Sequence, residues 1–191
     1  MTTLFLHQNF PGQFVHIAAA IAPLCSRQLL AVTSASNRRP AIIPAHHYHW
    51  QPSSTATDAG FGSHYAICAA RGAAVADALT ALKTKRYTPD LIVGHGGWGQ
   101  TVFVREVWPD VPLLLHAEFF YRGLGLDVGF DPPTSPPDLT RTTRLARARS
   151  VVMLQALADA THGVTPTYWC ENVTEDDKVQ VRGRDFHRPM H

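Results

Sequence analysis

The apolar positions of this 191-residue chain fall into short runs that alternate with longer stretches of helical spacing. Leu4-Phe5-Leu6 is the first short run, and Phe14, Ile17 and Ile21 then recur at the spacing of one helix face. A second apolar run covers residues 29–33. Two buried strands joined by a helix are typical of a parallel βαβ unit.

The same alternation continues to the end of the recognisable pattern. It predicts a third strand near Tyr48 and Trp50, one alanine-rich helix over 61–87, a strand at 91–93, a helix over about 100–107, a strand at 112–115, a helix over about 138–159 and a short strand at Val164. The predicted fold class is therefore α/β, a Rossmann-like, mainly parallel sheet with helices on both faces.

Ligands of such sheets bind beyond the carboxyl ends of the strands, which directs attention to residues 7–12, 94–101 and 116–122. Residues 94–99 hold four glycines, a composition that favours positive φ or close backbone approach. His95 lies among them and suits proton transfer or a hydrogen bond to a hydroxyl. The alternative is a glycine-rich turn with a surface histidine.

The other two segments carry different chemistry. Gly12 precedes a predicted helix whose N-terminus suits phosphate, although a plain turn explains it equally. Glu118 can bind sugar hydroxyls or act as a base. Phe119, Phe120 and Tyr121 either form an apolar platform or belong to the core, and Arg122 either pairs with Glu118 or holds a phosphate.

Composition narrows the function classes. Hydrophobic residues make up 45% and charged residues 17%, as in a globular protein, and the net charge of +2 predicts no nucleic-acid partner. The arginines between Arg141 and Arg149 are interpreted as a solvated helix face. Three scattered cysteines favour a reducing, cytoplasmic setting over disulfides or a zinc cluster.

Membrane and metal signals are weak. There is no secretory signal, and no run approaches the roughly 20 apolar residues of a membrane helix. His46, His47 and His49 are interpreted as incidental histidines of an exposed strand rather than metal ligands, although Asp58 could fold back toward them. We predict no metal site and no cofactor.

Five stretches resemble the N-terminal domain of a bacterial subgroup of glycosyltransferase family 4, retaining enzymes with the GT-B fold. They are LFLHQNFPGQF at 4–14, PDLIVGHGGWG at 89–99, EFFYR at 118–122, DVGFDP at 127–132 and VTPTYW at 164–169. The resemblance covers residues 1–169, which are expected to form a Rossmann-like glycosyltransferase domain, with 170–191 as a linker or an aberrant polar tail without a core to join.

The resemblance implies partners and residue roles. The partners are a nucleotide-sugar donor and a glycan or lipid-linked acceptor, which places the protein in the cytoplasm or peripherally at the inner membrane. His95 is expected to contact the transferred sugar as the catalytic residue, and Gly12 and Gln13 to lie near the donor diphosphate. The remaining expected substrate-binding residues are Gly96, Gly97, Trp98, Glu118, Tyr121 and Arg122.

One departure from the family pattern bears on activity. The C-terminal domain of such enzymes carries two glutamates separated by seven residues, and the four glutamates of this chain contain no such pair. We therefore expect a truncated chain that lacks the donor-binding domain and is inactive alone. The alternatives are a non-catalytic glycan- or nucleotide-binding module, a subunit of a split glycosyltransferase, or an unrelated Rossmann-like enzyme such as an NAD-dependent oxidoreductase, against which the missing dinucleotide fingerprint argues.

Overall fold

The computed structural model of the protein describes residues 1–25, 28–51, 60–118, 120–121, 139–166 and 186–187. Its sheet contains β1 (Thr3–Leu6), β2 (Leu29–Ser34), β3 (Ala45–Tyr48), β4 (Leu91–His95), β5 (Leu113–His116), β6 (His162–Val164) and β7 (Phe186–His187). The strand order is β3-β2-β1-β4-β5-β6-β7, and every neighbouring pair is parallel. The predicted fold class is confirmed.

The helices connect successive strands. They are a 3-10 turn at Gly12–Phe14 that leads into α1 (Val15–Cys25), then α2 (Ser63–Thr84), α3 (Val104–Val107), α4 (Leu139–Arg149) and α5 (Val151–Asp159). Strand β1 is buried along its whole length because it is covered on both faces. Leu4 and Leu6 pack in one core with Val75 and Leu79 of α2, whereas Phe5 packs on the opposite face with Phe14. Helices therefore cover both faces of the sheet.

Helix α2 has the length and mean hydropathy of a candidate membrane span, contrary to the expectation from sequence, with only a third of that window buried in the fold. Its buried residues are Cys68, Gly72, Val75, Leu79 and Leu82, which recur at spacings of three and four. Because that stripe packs against the sheet and α3, the helix serves the fold as a core helix.

Three predicted elements differ in detail. The single helix predicted over 138–159 is two helices, and the Ser150 hydroxyl at their junction donates to the carbonyls of Ala146 and Tyr121. Bonds of this kind from serine compete with the helical backbone ladder and bend helices. The helix predicted over about 100–107 is regular only from Val104, and Trp50 lies beyond the end of β3.

The predicted C-terminal tail contributes to the sheet at one point. Phe186 and His187 form β7, which pairs with Gly163 and Val164 of β6. The other residues of 170–191, and the helix start expected at Thr167, lie outside the described residues.

Candidate functional site

The order of the strands places a crevice at one edge of the sheet. Strand β1 has β2 on one side and β4 on the other, so the connections that leave β1 and β4 run to opposite sides. Such a switch point is where open α/β sheets bind their ligands. His7 follows β1, His95 ends β4, and Glu118 follows β5 by two residues.

A chain of short hydrogen bonds joins these three strand ends. The Gln13 amide nitrogen lies 2.9 Å from Glu118 Oε2, and His95 Nε2 lies 2.9 Å from the same oxygen. His7 Nε2 lies 2.6 Å from Gln13 Oε1. The structure therefore brings four residues from three loops into one network, which includes the predicted site residues Gln13, His95 and Glu118.

Three histidine rings pack against one another beside this network. The His7 and His95 ring centroids are 5.4 Å apart and edge-on, and the His95 and His116 rings stack at 5.5 Å. Burial, followed by the neighbouring His95, lowers the pKa of His7 to about 4. Burial and His95 also lower the pKa of His116. His7 is therefore neutral near pH 7, and His116 is driven the same way.

Gly12 shapes the first loop of the site. Its φ is +47°, and a Cβ there would overlap the His7 ring, at 2.6 Å from Nε2 and 2.7 Å from Nδ1. Glycine therefore lets the chain turn closely over His7 and places Gln13 beside Glu118.

The glycines at the end of β4 and just after it show the positive φ and the close backbone approach that their number predicts. Gly99 has a φ of +94° and lies against the backbone of Cys68 in α2, and a Cβ on Gly94 would lie 2.5 Å from Thr101. A Cβ on Gly96 would lie 2.9 Å from the sulfur of Met153. Close backbone approach is present here, and the approaching groups belong to the protein itself. A Cβ on Gly97, in contrast, would meet nothing nearer than 3.7 Å.

Trp98 separates two depressions beside the network. The large cleft has a volume of about 340 Å³ and is lined by His7, Gln8, Asn9, Gly12, Gln13, Arg39 and Trp98. The small cavity has a volume of about 10 Å³ and is lined by His95, Gly97, Trp98, Tyr121, Arg149 and Met153. Ligand pockets measure about 300–1,000 Å³, whereas about 10–15 Å³ holds one water. Of these two depressions in the described part of the chain, the large cleft is the one with room for a ligand.

The Trp98 backbone is anchored from outside the two depressions. Arg71 of α2 donates to the Trp98 carbonyl at 2.6 Å, and its guanidinium lies 4.2 Å from the centre of the Trp50 ring. The Trp98 side chain remains about a third exposed.

The aromatic segment after β5 divides between core and site. Phe120 is buried in a cluster with Met153 and Ala156, which confirms the core interpretation for this residue. Tyr121 lines the small cavity, while Phe119 and Arg122 lie outside the described residues.

Three residues of the crevice were not among the predicted site residues. His7 directly follows β1 and His116 is the last residue of β5, so the strand-end rule already pointed to their positions. Arg39 follows β2 in a polar loop, and no local pattern distinguishes it from Arg38. Across the described part of the chain, no three His, Cys, Asp or Glu side chains are grouped as metal ligands. Asp58, weighed as a partner of the β3 histidines, is outside that part.

Comparison with known proteins agrees with this architecture. Residues 26–174 match the family described as the glycosyl transferase family 4 group. No curated protein matches the chain significantly.

Solved structures add a likeness of fold. A structure of Phytolacca americana UGT2 complexed with UDP-2fluoro-glucose and pterostilbene has a TM-score of 0.53 and 10% identity over 98% of this chain and 54% of that one. A variant of Os79 from O. sativa in complex with UDP has a TM-score of 0.52 and 11% identity over 99% of this chain and 52% of that one. This chain spans about half the length of both.

Proposed function

Because this chain belongs to the glycosyl transferase family 4 group, we propose that it forms the N-terminal, mainly acceptor-side domain of an enzyme that moves a sugar from a nucleotide-sugar donor to a hydroxyl acceptor. The observation that supports this most is the roomy cleft at the switch point between β1 and β4. The cleft borders on hydrogen-bonding groups, Gln13 and Asn9, and on the cation Arg39.

The donor diphosphate fits the loop side of the large cleft. Arg39 lines this cleft together with Gly12, and Gly12 begins the helical turn that leads into α1. A guanidinium forms charge-assisted hydrogen bonds with phosphate oxygens, and a helix start adds backbone N–H groups. In this arrangement Arg39 and the helix start would position the diphosphate and stabilise the charge of the leaving phosphate without a metal ion.

The sugar and acceptor fit between the diphosphate and Glu118. Trp98 offers a partly exposed ring at the boundary of the cleft, and Glu118 is about a quarter exposed. His95 is almost wholly buried, and both of its ring nitrogens have protein partners. A direct contact between the His95 side chain and the transferred sugar therefore requires one of those partners to give way.

Binding of UDP-glucose to the purified chain tests this proposal. Isothermal titration calorimetry is expected to show a dissociation constant of about 1 mM, because one domain supplies only part of the donor contacts. Replacing Arg39 with Gln is expected to weaken binding about tenfold, which corresponds to ~1.4 kcal/mol. Arg38→Gln removes the same charge one residue away, from an arginine that does not line the cleft, and serves as the control.

Two outcomes count against the proposal. One is no detectable heat or NMR shift with UDP-glucose, GDP-mannose or ADP-glucose at millimolar concentration. The other is equal weakening by Arg38→Gln and Arg39→Gln, which would indicate a diffuse charge effect.

A second candidate is a binding module, or one subunit of a split glycosyltransferase. The observation that favours it is the same large cleft, which can hold a nucleotide or a glycan without any chemistry. Binding of UDP-glucose without release of UDP or glucose supports this candidate or a half-enzyme that needs its other domain. Steady turnover by the purified chain alone would contradict both.

A lipid-linked acceptor would place the domain at the cytoplasmic face of the inner membrane. Helix α1 contains no Asp, Glu, Lys or Arg, and its Ile17 and Leu24 side chains are 56% and 83% exposed. We expect co-sedimentation with anionic vesicles that weakens in the Ile17→Ser, Leu24→Ser double variant. Equal co-sedimentation of the variant and the original chain would contradict this placement.

A further inference from the structure

The bonds around Glu118 have a definite direction, which follows from two backbone N–H groups. The Asn9 N–H donates to His7 Nδ1 at 3.0 Å, and the Gly97 N–H donates to His95 Nδ1 at 3.4 Å. A neutral imidazole has one N–H and one acceptor nitrogen. Both rings must therefore carry their proton on Nε2.

The next bonds then have only one consistent polarity. His7 Nε2–H donates to Gln13 Oε1, which fixes the amide so that Gln13 Nε2 points to Glu118 and donates to Oε2. His95 Nε2–H donates to the same oxygen. Two N–H donors thus converge on Oε2, so this carboxylate oxygen acts as the acceptor of both bonds.

Each member is held where it is by its surroundings. His7 and His95 are 5% and 1% exposed, so neither ring can turn without displacing core groups. Gln13 is joined to Glu118 across 105 residues of sequence, and the glycine before it is the one that lies against His7. Glu118 accepts hydrogen bonds from Gln13, which lines the large cleft, and from His95, which lines the small cavity.

We propose that His7, Gln13 and His95 are positioning residues, which act through Glu118 by holding its side chain as an oriented carboxylate that accepts a hydrogen bond from a ligand hydroxyl. This inference rests on the proposed function for the identity of the ligand. It adds a positioning role for His95 to the sugar contact that the resemblance implies.

The charge of the surroundings supports this arrangement. The described groups that face the network include His7 beside β1, His95 in β4, His116 in β5 and Arg39 in the loop after β2, and Arg149 lines the small cavity beside His95. Arg39 and Arg149 are the cations among them, and burial keeps His7 neutral at ordinary pH. Glu118 is the acidic group of this set, and two N–H donors converge on its Oε2 atom.

The tautomers provide a direct test that needs no ligand. Long-range ¹H–¹⁵N NMR of the histidine-labelled full chain near neutral pH is expected to show the Nε2–H tautomer for both His7 and His95. The two signals are assigned through His7→Gln and His95→Gln. An Nδ1–H tautomer, or a fast mixture of tautomers, at either ring would overturn the proposal.

A charge variant tests the link through Gln13. Gln13→Glu preserves the acceptor for His7 but places a carboxylate oxygen against Glu118 Oε2. Two carboxylates at this distance share a proton, so ¹³C NMR is expected to show one of them titrating more than about one pH unit above an ordinary glutamate. Gln51→Glu makes the same substitution at an exposed site and should titrate normally.

Ordinary titration of both carboxylates in folded Gln13→Glu would overturn the link. Neither NMR experiment uses a nucleotide or a sugar. Failure of the UDP-glucose experiment would therefore count against the proposed function alone, and wrong tautomers would count against the positioning network alone.

Discussion

Replacing Gly12 with Ala is the sharpest perturbation of the site that the structure offers. Alanine at a φ of +47° costs about 1–2 kcal/mol because its Cβ meets the following carbonyl. The new methyl group also overlaps the buried His7 ring, whose displacement sacrifices the bonds to Gln13 and to the Asn9 N–H. At about 0.5–1.5 kcal/mol for each of the two bonds, the expected total destabilisation is about 2–5 kcal/mol.

Urea-induced unfolding, followed by far-UV circular dichroism and tryptophan fluorescence, measures this loss. For a chain of this size the corresponding fall in the thermal midpoint is about 4–20 °C. Gly62→Ala is the control, because a Cβ there meets nothing within 4 Å and its φ of −89° suits any residue. We expect it to remain within about 0.5 kcal/mol of the original chain.

A loss below about 0.5 kcal/mol in Gly12→Ala, together with unchanged His7 NMR signals, would refute the reasoning. It would mean that the loop opens away from His7 at no cost, and that Gln13 is not held beside Glu118. A large loss in Gly62→Ala as well would show that the assay reports general damage rather than the geometry of this loop.

Three further predictions concern acid, an arginine and a second glycine. The pKa of His7 is lowered to about 4 from an ordinary 6.5, so its contribution to stability is complete above pH 6.5 and is lost as the pH falls toward 4. Urea unfolding is expected to show a loss of about 3 kcal/mol in the free energy of unfolding over this pH range. In His7→Gln the free energy of unfolding should depend less steeply on pH, and an identical pH dependence would contradict the prediction. Arg105 donates to the carbonyls of Asp159, Pro109 and Val111, and Arg105→Lys is expected to lose about 2–4 kcal/mol because an ammonium cannot reproduce the fork. Arg144→Lys, at an exposed position, should leave the free energy of unfolding unchanged in the same assay. Equal losses in the Arg105→Lys and Arg144→Lys variants would refute the role of Arg105. Gly99→Ala, whose Cβ would enter the α2 backbone at a φ of +94°, should destabilise the chain by at least about 2 kcal/mol more than Gly97→Ala.

The pattern of apolar and polar residues was sufficient to predict most strands and helices, and the edge of the sheet at which the site lies. Apolar runs such as Leu4-Phe5-Leu6 predict buried parallel strands because both faces of such strands must be covered. Once the strands were placed, the rule on strand ends put His95, Glu118 and the loop of Gly12 at one edge. The break at Ser150 escaped this reasoning because it depends on the carbonyl of Tyr121, 29 residues away in sequence.

The partners of the site residues were decided by the tertiary structure alone. The sequence contains Gln13 and Glu118, but only the placement of β1 and β5 on either side of β4 brings them to 2.9 Å. Likewise, the glycines after β4 could signal a ligand or the protein's own backbone, and only the seating of α2 shows that Gly99 lies against Cys68. Hydrophobic periodicity records which face of each element is buried, and it carries no information about which distant side chain lies opposite.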